Sequence, residues 1–231
     1  MAKERIFIYC AHGFGERIAY ALPEEKYDVL GFIDDDNKLW DQSLFGFRVY
    51  PPAVLLSVKY DKILISIGEY EQKIRDCLIS KYGVNDSQIV TYRSGMEGFC
   101  WEEERIIALR KCITLIKERN VLGDMAEVGV YTGEFAKLFN RYLPERRLYL
   151  FDTFEGFDSS RDEIEDRDKK IFKDTSVELV LSKMKTPENC IVRKGYFPDT
   201  AKGVDGAFSL VSLDCDLYNP ILAGLTFFYP R

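Results

Sequence analysis

Short apolar runs alternate with amphipathic stretches over the first 95 residues. Such runs predict buried strands, and the amphipathic stretches predict the helices between them. We predict strands at residues 5–10, 27–33, 62–67 and 88–92, and helices at 16–22, 51–58 and 69–82. Gly83 follows the last of these helices, where a glycine commonly ends a helix. Strands that alternate with helices in this way indicate a parallel sheet with right-handed crossovers.

The second part of the chain repeats this pattern after a predicted linker at residues 93–98. A long helical stretch at 99–120 comes first, and its apolar residues recur at helical spacing. We then predict strands at 125–130, 148–152, 190–193 and 208–214, a helix at 134–141 and another helix beginning near Pro220. The fold class is therefore α/β, with a small Rossmann-like parallel sheet in residues 1–95 and a second Rossmann-like domain in 99–231.

The second predicted sheet has only four strands. Its fourth strand would present an open apolar edge unless another strand pairs with it. Because an α/β domain rarely stops just after its fourth strand–helix unit, we expect the chain to be a fragment or a naturally shortened product that is incomplete at its C-terminus.

Composition narrows the functional classes. The 231 residues are 46% hydrophobic and 30% charged, which is typical of a soluble globular protein, and the net charge of −6 argues against a nucleic-acid partner. No apolar run approaches membrane-spanning length, no signal peptide begins the chain, and the six cysteines form no C-x-x-C pair. We therefore predict a cytoplasmic location, with neither a membrane nor a nucleic acid as partner. The charges of residues 161–170 alternate in sign and indicate a solvated helix face or a lid segment.

A glycine-bearing turn follows the first strand of the second domain. It reads E-x-G-x-x-x-G, with Glu127, Gly129 and Gly133 at the fixed positions. Glycine lets the backbone bend sharply and approach a ligand, and Asp152, about twenty residues further on, is placed to bind ribose hydroxyls. Since the turn is neither G-x-G-x-x-G nor a P-loop, it favours S-adenosylmethionine over a dinucleotide or ATP. An ordinary strand–turn–helix remains the alternative.

Three runs, at residues 126–136, 150–157 and 213–218, resemble the macrocin O-methyltransferase (TylF/MycF) family, and the resemblance covers about residues 101–231. It implies a class I methyltransferase domain that uses S-adenosylmethionine and Mg²⁺ to methylate a sugar hydroxyl of a glycoside or nucleotide-sugar-derived product. The partner would be a small-molecule acceptor, and the chain could assemble as a homo-oligomer. Family members continue with a strand that ends in paired acids, so we expect the metal site of this chain to be incomplete. The alternative is a non-catalytic module that binds a nucleotide-sugar or a cofactor.

The resemblance assigns roles to individual residues. The expected contacts to the cofactor are Glu127, Gly129, Tyr131, Gly133, Asp152, Thr153, Phe154, Gly195 and Tyr196. Asp214 would bind Mg²⁺ and accept the proton of the substrate hydroxyl. Asp216 would be a second metal ligand or a cap of the following turn, and Arg105 is a further candidate on the substrate side.

Residues 6–15, 31–36 and 46–50 resemble the N-terminal Rossmann-like domain of PglD-type sugar O-acyltransferases. This resemblance implies a nucleotide-sugar site at Gly13, Gly15 and Asp34. A domain that only packs or dimerises is the alternative, and an NAD-dependent enzyme using the same three residues is a further one. His12 is the only histidine, which argues against a Ser-His-Asp triad and a multi-histidine metal site.

Overall fold

The computed structural model describes residues 2–68, 70–91, 102–158, 161 and 171–231. The predicted linker at 93–98 and all but the first residue of the charged run at 161–170 lie outside these residues. The chain divides into two compact units, Met1–Glu118 and Arg119–Arg231. Among the described residues, no helix combines the length and the apolarity needed to cross a bilayer.

The first unit contains a six-stranded sheet whose strands run parallel except for one short hairpin. In chain order the strands are β1 (Glu4–Tyr9), β2 (Tyr27–Ile33), β3 (Ser43–Leu44), β4 (Phe47–Tyr50), β5 (Lys62–Ile65) and β6 (Ile89–Thr91). Their order across the sheet is β3-β4-β2-β1-β5-β6, and β3 pairs antiparallel with β4. The predicted strands are confirmed within one or two residues at their ends, whereas the hairpin was not predicted.

Helices cover both faces of this sheet, and each face has its own core. The helices are α1 (Gly13–Ala21), α2 (Glu71–Tyr82) and α3 (Glu104–Glu118), and a 3-10 helix at Pro52–Leu56 replaces the predicted helix at 51–58. Ile8 and Phe32 lie in the core with Ile18 of α1, while Phe7 and Ile63 lie in the other core with Leu78 of α2. The strands therefore read as continuous apolar runs, because both faces are buried.

Helix α1 begins at Gly13, three residues before the predicted start. Gly15 thus lies inside the helix and not in a turn. A Cβ on Gly15 would lie 2.4 Å from the carbonyl oxygen of Cys10, so only glycine allows α1 to approach the end of β1 this closely. The predicted start of this helix at residue 16 is corrected accordingly.

Helix α3 packs within the first unit through Arg110. The Arg110 guanidinium, which is 6% exposed, donates to the carbonyl oxygens of Tyr20 and Leu22 at 2.6 and 2.8 Å. It also lies 3.1 Å from the carboxylate of Glu24, and Ile107 packs against Tyr20. The first compact unit therefore extends beyond the predicted boundary at residues 95–99.

The second unit contains a four-stranded, fully parallel sheet. Its strands are β7 (Asp124–Val128), β8 (Leu148–Asp152), β9 (Cys190–Lys194) and β10 (Phe208–Leu213), and its helices are α4 (Ala136–Tyr142), α5 (Val177–Ser182) and α6 (Tyr218–Phe228). The order across the sheet is β10-β7-β8-β9, so β10 lies at an edge, as predicted. Helix α6 begins two residues before Pro220, since a proline is tolerated in the first turn of a helix.

Aromatic rings form the core between this sheet and α6. Phe228 lies edge-to-face with Phe208 at 4.9 Å between ring centroids, and Phe151 lies edge-to-face with Phe197 at 5.3 Å. Ala126 and Val128 join this cluster from β7. Because side chains alternate along a strand, Glu127 faces the opposite side of the sheet. This packing fixes the carboxyl ends of β7, β8 and β10, where the candidate site lies.

Candidate functional site

The loop after β7 is held against the loop after β10. Gly129 adopts a φ of 86°, and a Cβ at this position would lie 2.1 Å from the backbone oxygen of Asp214. In addition, the Asp214 N–H donates to the carbonyl oxygen of Val128 at 2.8 Å. Both the positive φ and the backbone contact require glycine. The group that approaches Gly129 closely is therefore the chain's own backbone at Asp214.

Asp152, at the end of β8, holds the same loop through its side chain. Its Oδ2 accepts hydrogen bonds from the N–H groups of Val130 and Tyr131 at 2.7 and 2.8 Å, and its Oδ1 accepts one from Phe154 at 2.7 Å. The hydroxyl of Thr153 also lies 3.5 Å from Oδ1, but its one proton is donated to Gly156 at 2.6 Å. Since a carboxylate has about four acceptor positions, about one remains for a ribose hydroxyl. Asp152 thus has a structural role that was not predicted, and its predicted contact to ribose stays a prediction.

The far end of the loop packs on α5. A Cβ on Gly133, whose φ is 80°, would lie 3.0 Å from Cγ1 of Val180. The ammonium of Lys183 donates to the carbonyl oxygen of Thr132 at 2.7 Å. Helix α5 therefore fixes the C-terminal half of the loop, as Asp152 fixes its N-terminal half.

Charged and phenolic side chains add further links around this loop. Glu134 forms ion pairs with Lys137 and with Lys183, and these hydrogen bonds lower the pKa of Glu134 to about 2. The hydroxyl of Tyr131 donates to the carboxylate of Asp174 at 2.8 Å. Tyr131, which was predicted to contact the cofactor, is therefore oriented by a hydrogen bond to Asp174, a residue outside the loop.

Two exposed carboxylates follow β10. Asp214 is the first residue after the strand, and Asp216 adopts a φ of 58°. Although Asp216 is exposed, partial loss of hydration by neighbouring atoms, together with the charge of Asp214, raises the pKa of Asp216. A divalent cation would relieve this repulsion, and carboxylate oxygens are the ligands that Mg²⁺ prefers. The donor set of Asp214 and Asp216 therefore fits Mg²⁺.

The predicted cofactor contacts beside Asp152 lie in tightly bonded turns. The hydroxyl of Thr153 donates to the carbonyl oxygen of Gly156 at 2.6 Å, and Phe154 is 5% exposed. Glu127 is 1% exposed on the sheet face away from the aromatic core. These residues are brought to the same edge as the glycine loop, and burial limits how much of Phe154 and Glu127 a ligand can touch.

The turn after β9 lies next to the carboxyl end of β8. The N–H of Gly195 donates to the carbonyl oxygen of Asp152 at 2.9 Å, and Gly195 adopts a φ of 132°. The guanidinium of Arg161 lies 3.9 Å from the ring centroid of Tyr196 and pairs with Asp199. Gly195 and Tyr196 therefore lie beside the carboxyl end of β8, with one face of Tyr196 covered by a cation. Their predicted contact with the cofactor stays a prediction.

The three residues of the first unit that were predicted to bind a nucleotide-sugar lie in different environments. Asp34 is buried, and its oxygens accept hydrogen bonds from the N–H groups of Ala11 and Asp36, both at 2.9 Å. A Cβ on Gly13 would meet nothing within 4 Å, whereas Gly15 is enclosed by the chain. In both units, an acid at or just after the carboxyl end of the second strand thus holds the loop that follows the first strand.

Two further observations concern residues outside the second unit. Arg105, a predicted substrate-side candidate, lies exposed on α3 in the first unit. The sulfur of Cys10 and a carboxylate oxygen of Asp34 lie within 4.8 Å of each other, and burial together with the charge of Asp34 raises the pKa of the Cys10 thiol. Cys10 was not among the predicted site residues, although its position just after the first strand was a signal for it.

The model of the macrocin-O-methyltransferase (TylF) family matches residues 100–231. The chain belongs to the macrocin-O-methyltransferase (TylF) family. This confirms the predicted family and the predicted α/β fold class. Residues 2–90 match a different family model, described as C2185-like, N-terminal. The resemblance of this TylF-family chain to PglD-type acyltransferases stays a prediction.

Solved structures similar to this TylF-family chain include two methyltransferases. The O-methyltransferase NovP is 24% identical with a TM-score of 0.47, and the match covers 55% of this chain and 60% of NovP. Methyltransferase FkbM from Methylobacillus flagellatus KT is 12% identical with a TM-score of 0.33, covering 96% of this chain and 75% of FkbM. The chain thus spans less than two thirds of the length of NovP. A search of curated proteins finds no match.

Proposed function

We propose that the second unit belongs to an S-adenosylmethionine-dependent O-methyltransferase that acts on a small-molecule acceptor, a sugar hydroxyl in a glycoside or a nucleotide-sugar-derived product. Membership of the TylF family supports this function. The observation that carries it is the direct backbone contact between Gly129 and Asp214. This contact brings the glycine loop and the two strand-end carboxylates together at one edge of the sheet, where ligands of α/β proteins bind.

The nucleoside end of the cofactor would lie against the end of β8. One acceptor position of Asp152 is left for a ribose hydroxyl after three backbone N–H groups are counted. Since both ends of the glycine loop are fixed by other parts of the unit, the loop is organised before any ligand arrives. Preorganisation of this kind lowers the entropy lost on binding.

Methyl transfer requires a hydroxyl oxygen to attack the methyl carbon of a sulfonium in line with the departing sulfur. The C–S bond breaks as the O–C bond forms, and the hydroxyl proton must leave. Asp214 would accept this proton, and Asp216 would position the acceptor beside it. Mg²⁺ held by the two carboxylates would supply Lewis acidity that lowers the pKa of the hydroxyl.

A methyl-transfer assay with the full chain, S-adenosylmethionine, Mg²⁺ and a panel of glycosides tests this function. We expect turnover that EDTA abolishes and that Asp214→Asn reduces by at least about a hundredfold, because the metal and the proton acceptor are both affected. Asp205→Asn, an exposed acid of the same unit, is the matched control and should leave the rate unchanged.

The second candidate is a module that binds the cofactor or a nucleotide-sugar without catalysis. It would bind S-adenosylhomocysteine or a nucleotide-sugar and show no methyl transfer under any of these conditions. Turnover that depends on Asp214 would eliminate it, whereas binding without turnover would contradict the catalytic proposal.

A further inference from the structure

Three different metal-binding side chains meet in the first unit. Cys10 follows β1, His12 lies two residues later, and Asp34 follows β2. The sulfur of Cys10, an imidazole nitrogen of His12 and a carboxylate oxygen of Asp34 all lie within 4.8 Å of one another. They converge because β1 and β2 are parallel neighbours, so that their carboxyl ends lie at the same edge of the sheet.

The backbone holds two of these side chains in place. The N–H of Cys10 donates to the carbonyl oxygen of Ile33 at 2.8 Å, which ties the end of β1 to β2. The carboxylate of Asp34 is oriented by the N–H groups of Ala11 and Asp36, one on each oxygen. Hydrogen bonds that orient a ligand in this way are typical of the surroundings of metal sites.

Only one of three consecutive acids takes part in this cluster. Asp35 accepts a hydrogen bond from the hydroxyl of Tyr9 at 2.9 Å, and Asp36 accepts one from the N–H of Lys38 at 2.9 Å. Asp34 is the acid of the three whose carboxylate groups with the donors of Cys10 and His12 within 4.8 Å. The cluster is therefore a defined set of sulfur, nitrogen and oxygen donors and differs from an ordinary patch of surface carboxylates.

His12 is the exposed member of the set. It is exposed, caps the N-terminus of α1 with a φ of −122°, and its side chain makes no hydrogen bond to that helix. The neighbouring Gly13 leaves open space around its Cα. The imidazole, which already lies beside Cys10 and Asp34, can therefore adjust its position without breaking a side-chain hydrogen bond to the helix that it caps.

We propose that Cys10, His12 and Asp34 form a three-ligand site for Zn²⁺. Zinc accepts thiolate, imidazole and carboxylate ligands, whereas Mg²⁺ and Ca²⁺ take oxygen ligands. Tetrahedral zinc places its ligand atoms about 3.5 Å apart, so two donors at the 4.8 Å limit would approach each other by about 1 Å on binding. Three protein ligands leave a fourth position for water or for an oxygen of a ligand. On binding, the thiol proton is released to solvent and a sulfur–zinc bond forms.

Titration of the full chain with Co²⁺, a spectroscopic substitute for zinc, tests this site. We expect a sulfur-to-cobalt charge-transfer band that saturates at one equivalent. Cys10→Ser should abolish the band, and His12→Ala should weaken Co²⁺ binding by at least about tenfold. Cys112→Ser removes an exposed free cysteine on α3 and should leave the band unchanged. Any one of three results would overturn the proposal. These are a folded wild-type protein that shows no band, a band that persists in Cys10→Ser, and an unchanged Co²⁺ affinity in His12→Ala.

Thermal unfolding gives a second readout that does not depend on cobalt. Zn²⁺ should raise the unfolding temperature of the wild-type protein and of Cys112→Ser, since a ligand that binds only the native state stabilises it. His12→Ala should show a smaller increase at the same Zn²⁺ concentration, because its affinity is lower. The unfolding temperature of the metal-free variant should match that of the metal-free wild type, because His12 is exposed. An equal increase in the variant would contradict the assignment.

Discussion

Replacing Gly129 by alanine tests the packing on which the candidate site depends. The new Cβ would lie 2.1 Å from the backbone oxygen of Asp214, and the residue would have to keep a φ of 86°. A left-handed conformation costs an L-residue about 1–2 kcal/mol, and overpacking against backbone costs about 1–3 kcal/mol. We therefore expect Gly129→Ala to destabilise the second unit by about 3 kcal/mol.

Gly203→Ala is the matched control for this prediction. Gly203 lies in the same unit with a φ of 75°, but a Cβ there would meet nothing within 4 Å. Gly203→Ala should therefore lower the free energy of unfolding only by the cost of the left-handed conformation, about 1–2 kcal/mol. The difference between the two variants isolates the steric contact with Asp214.

Amide hydrogen exchange in β7 and β10 is the suitable assay, since it reports the opening free energy of this unit alone. Gly129→Ala should accelerate exchange in both strands by a larger factor than Gly203→Ala does. Equal effects of the two substitutions would refute the contact between the two loops.

Two further predictions concern ion pairs. The lowered pKa of Glu134 means that its contribution to stability is present above its ordinary pKa of 4.5 and is lost as the pH falls from there toward about 2. Lys183→Met should reduce this pH dependence in an acid-unfolding titration, and an unchanged titration would contradict the assignment. Arg110→Met should destabilise the first unit by about 2–4 kcal/mol, because two buried carbonyl oxygens lose their donor. Urea unfolding followed by tryptophan fluorescence, to which Trp40 of this unit contributes, measures this loss. Lys111→Met on the same helix should cost less than about 1 kcal/mol. Equal effects of these two substitutions would contradict the role of Arg110.

Uniform apolar runs made the central strands predictable. The ends of β2 at Tyr27–Ile33 and of β8 at Leu148–Asp152 agree with the sequence pattern residue by residue. The hairpin of β3 and β4 was missed because its strands are short, and because its turn at Gly46 follows no long apolar run. The early start of α1 was missed because Gly15 reads as a turn residue, whereas the structure uses it for close helix packing.

Only part of the candidate site could be predicted from the sequence. The sequence shows the glycines and acids at the strand ends, and the α/β pattern predicts the sheet edge at which they meet. The bonds from the carboxylate of Asp152 to the N–H groups of Val130 and Tyr131 depend on the register of neighbouring strands. The cluster of Cys10, His12 and Asp34 likewise depends on β1 and β2 being adjacent, which pattern analysis along the chain does not specify.

Calorimetric titration of the full chain with S-adenosylhomocysteine tests the central claim most directly. We expect one molecule to bind per chain, and we expect Asp152→Asn to weaken binding by roughly 1–3 kcal/mol while Asp205→Asn leaves it unchanged. Folded wild-type protein that binds no S-adenosylhomocysteine, or that binds it equally well after Asp152→Asn, would contradict the proposed site.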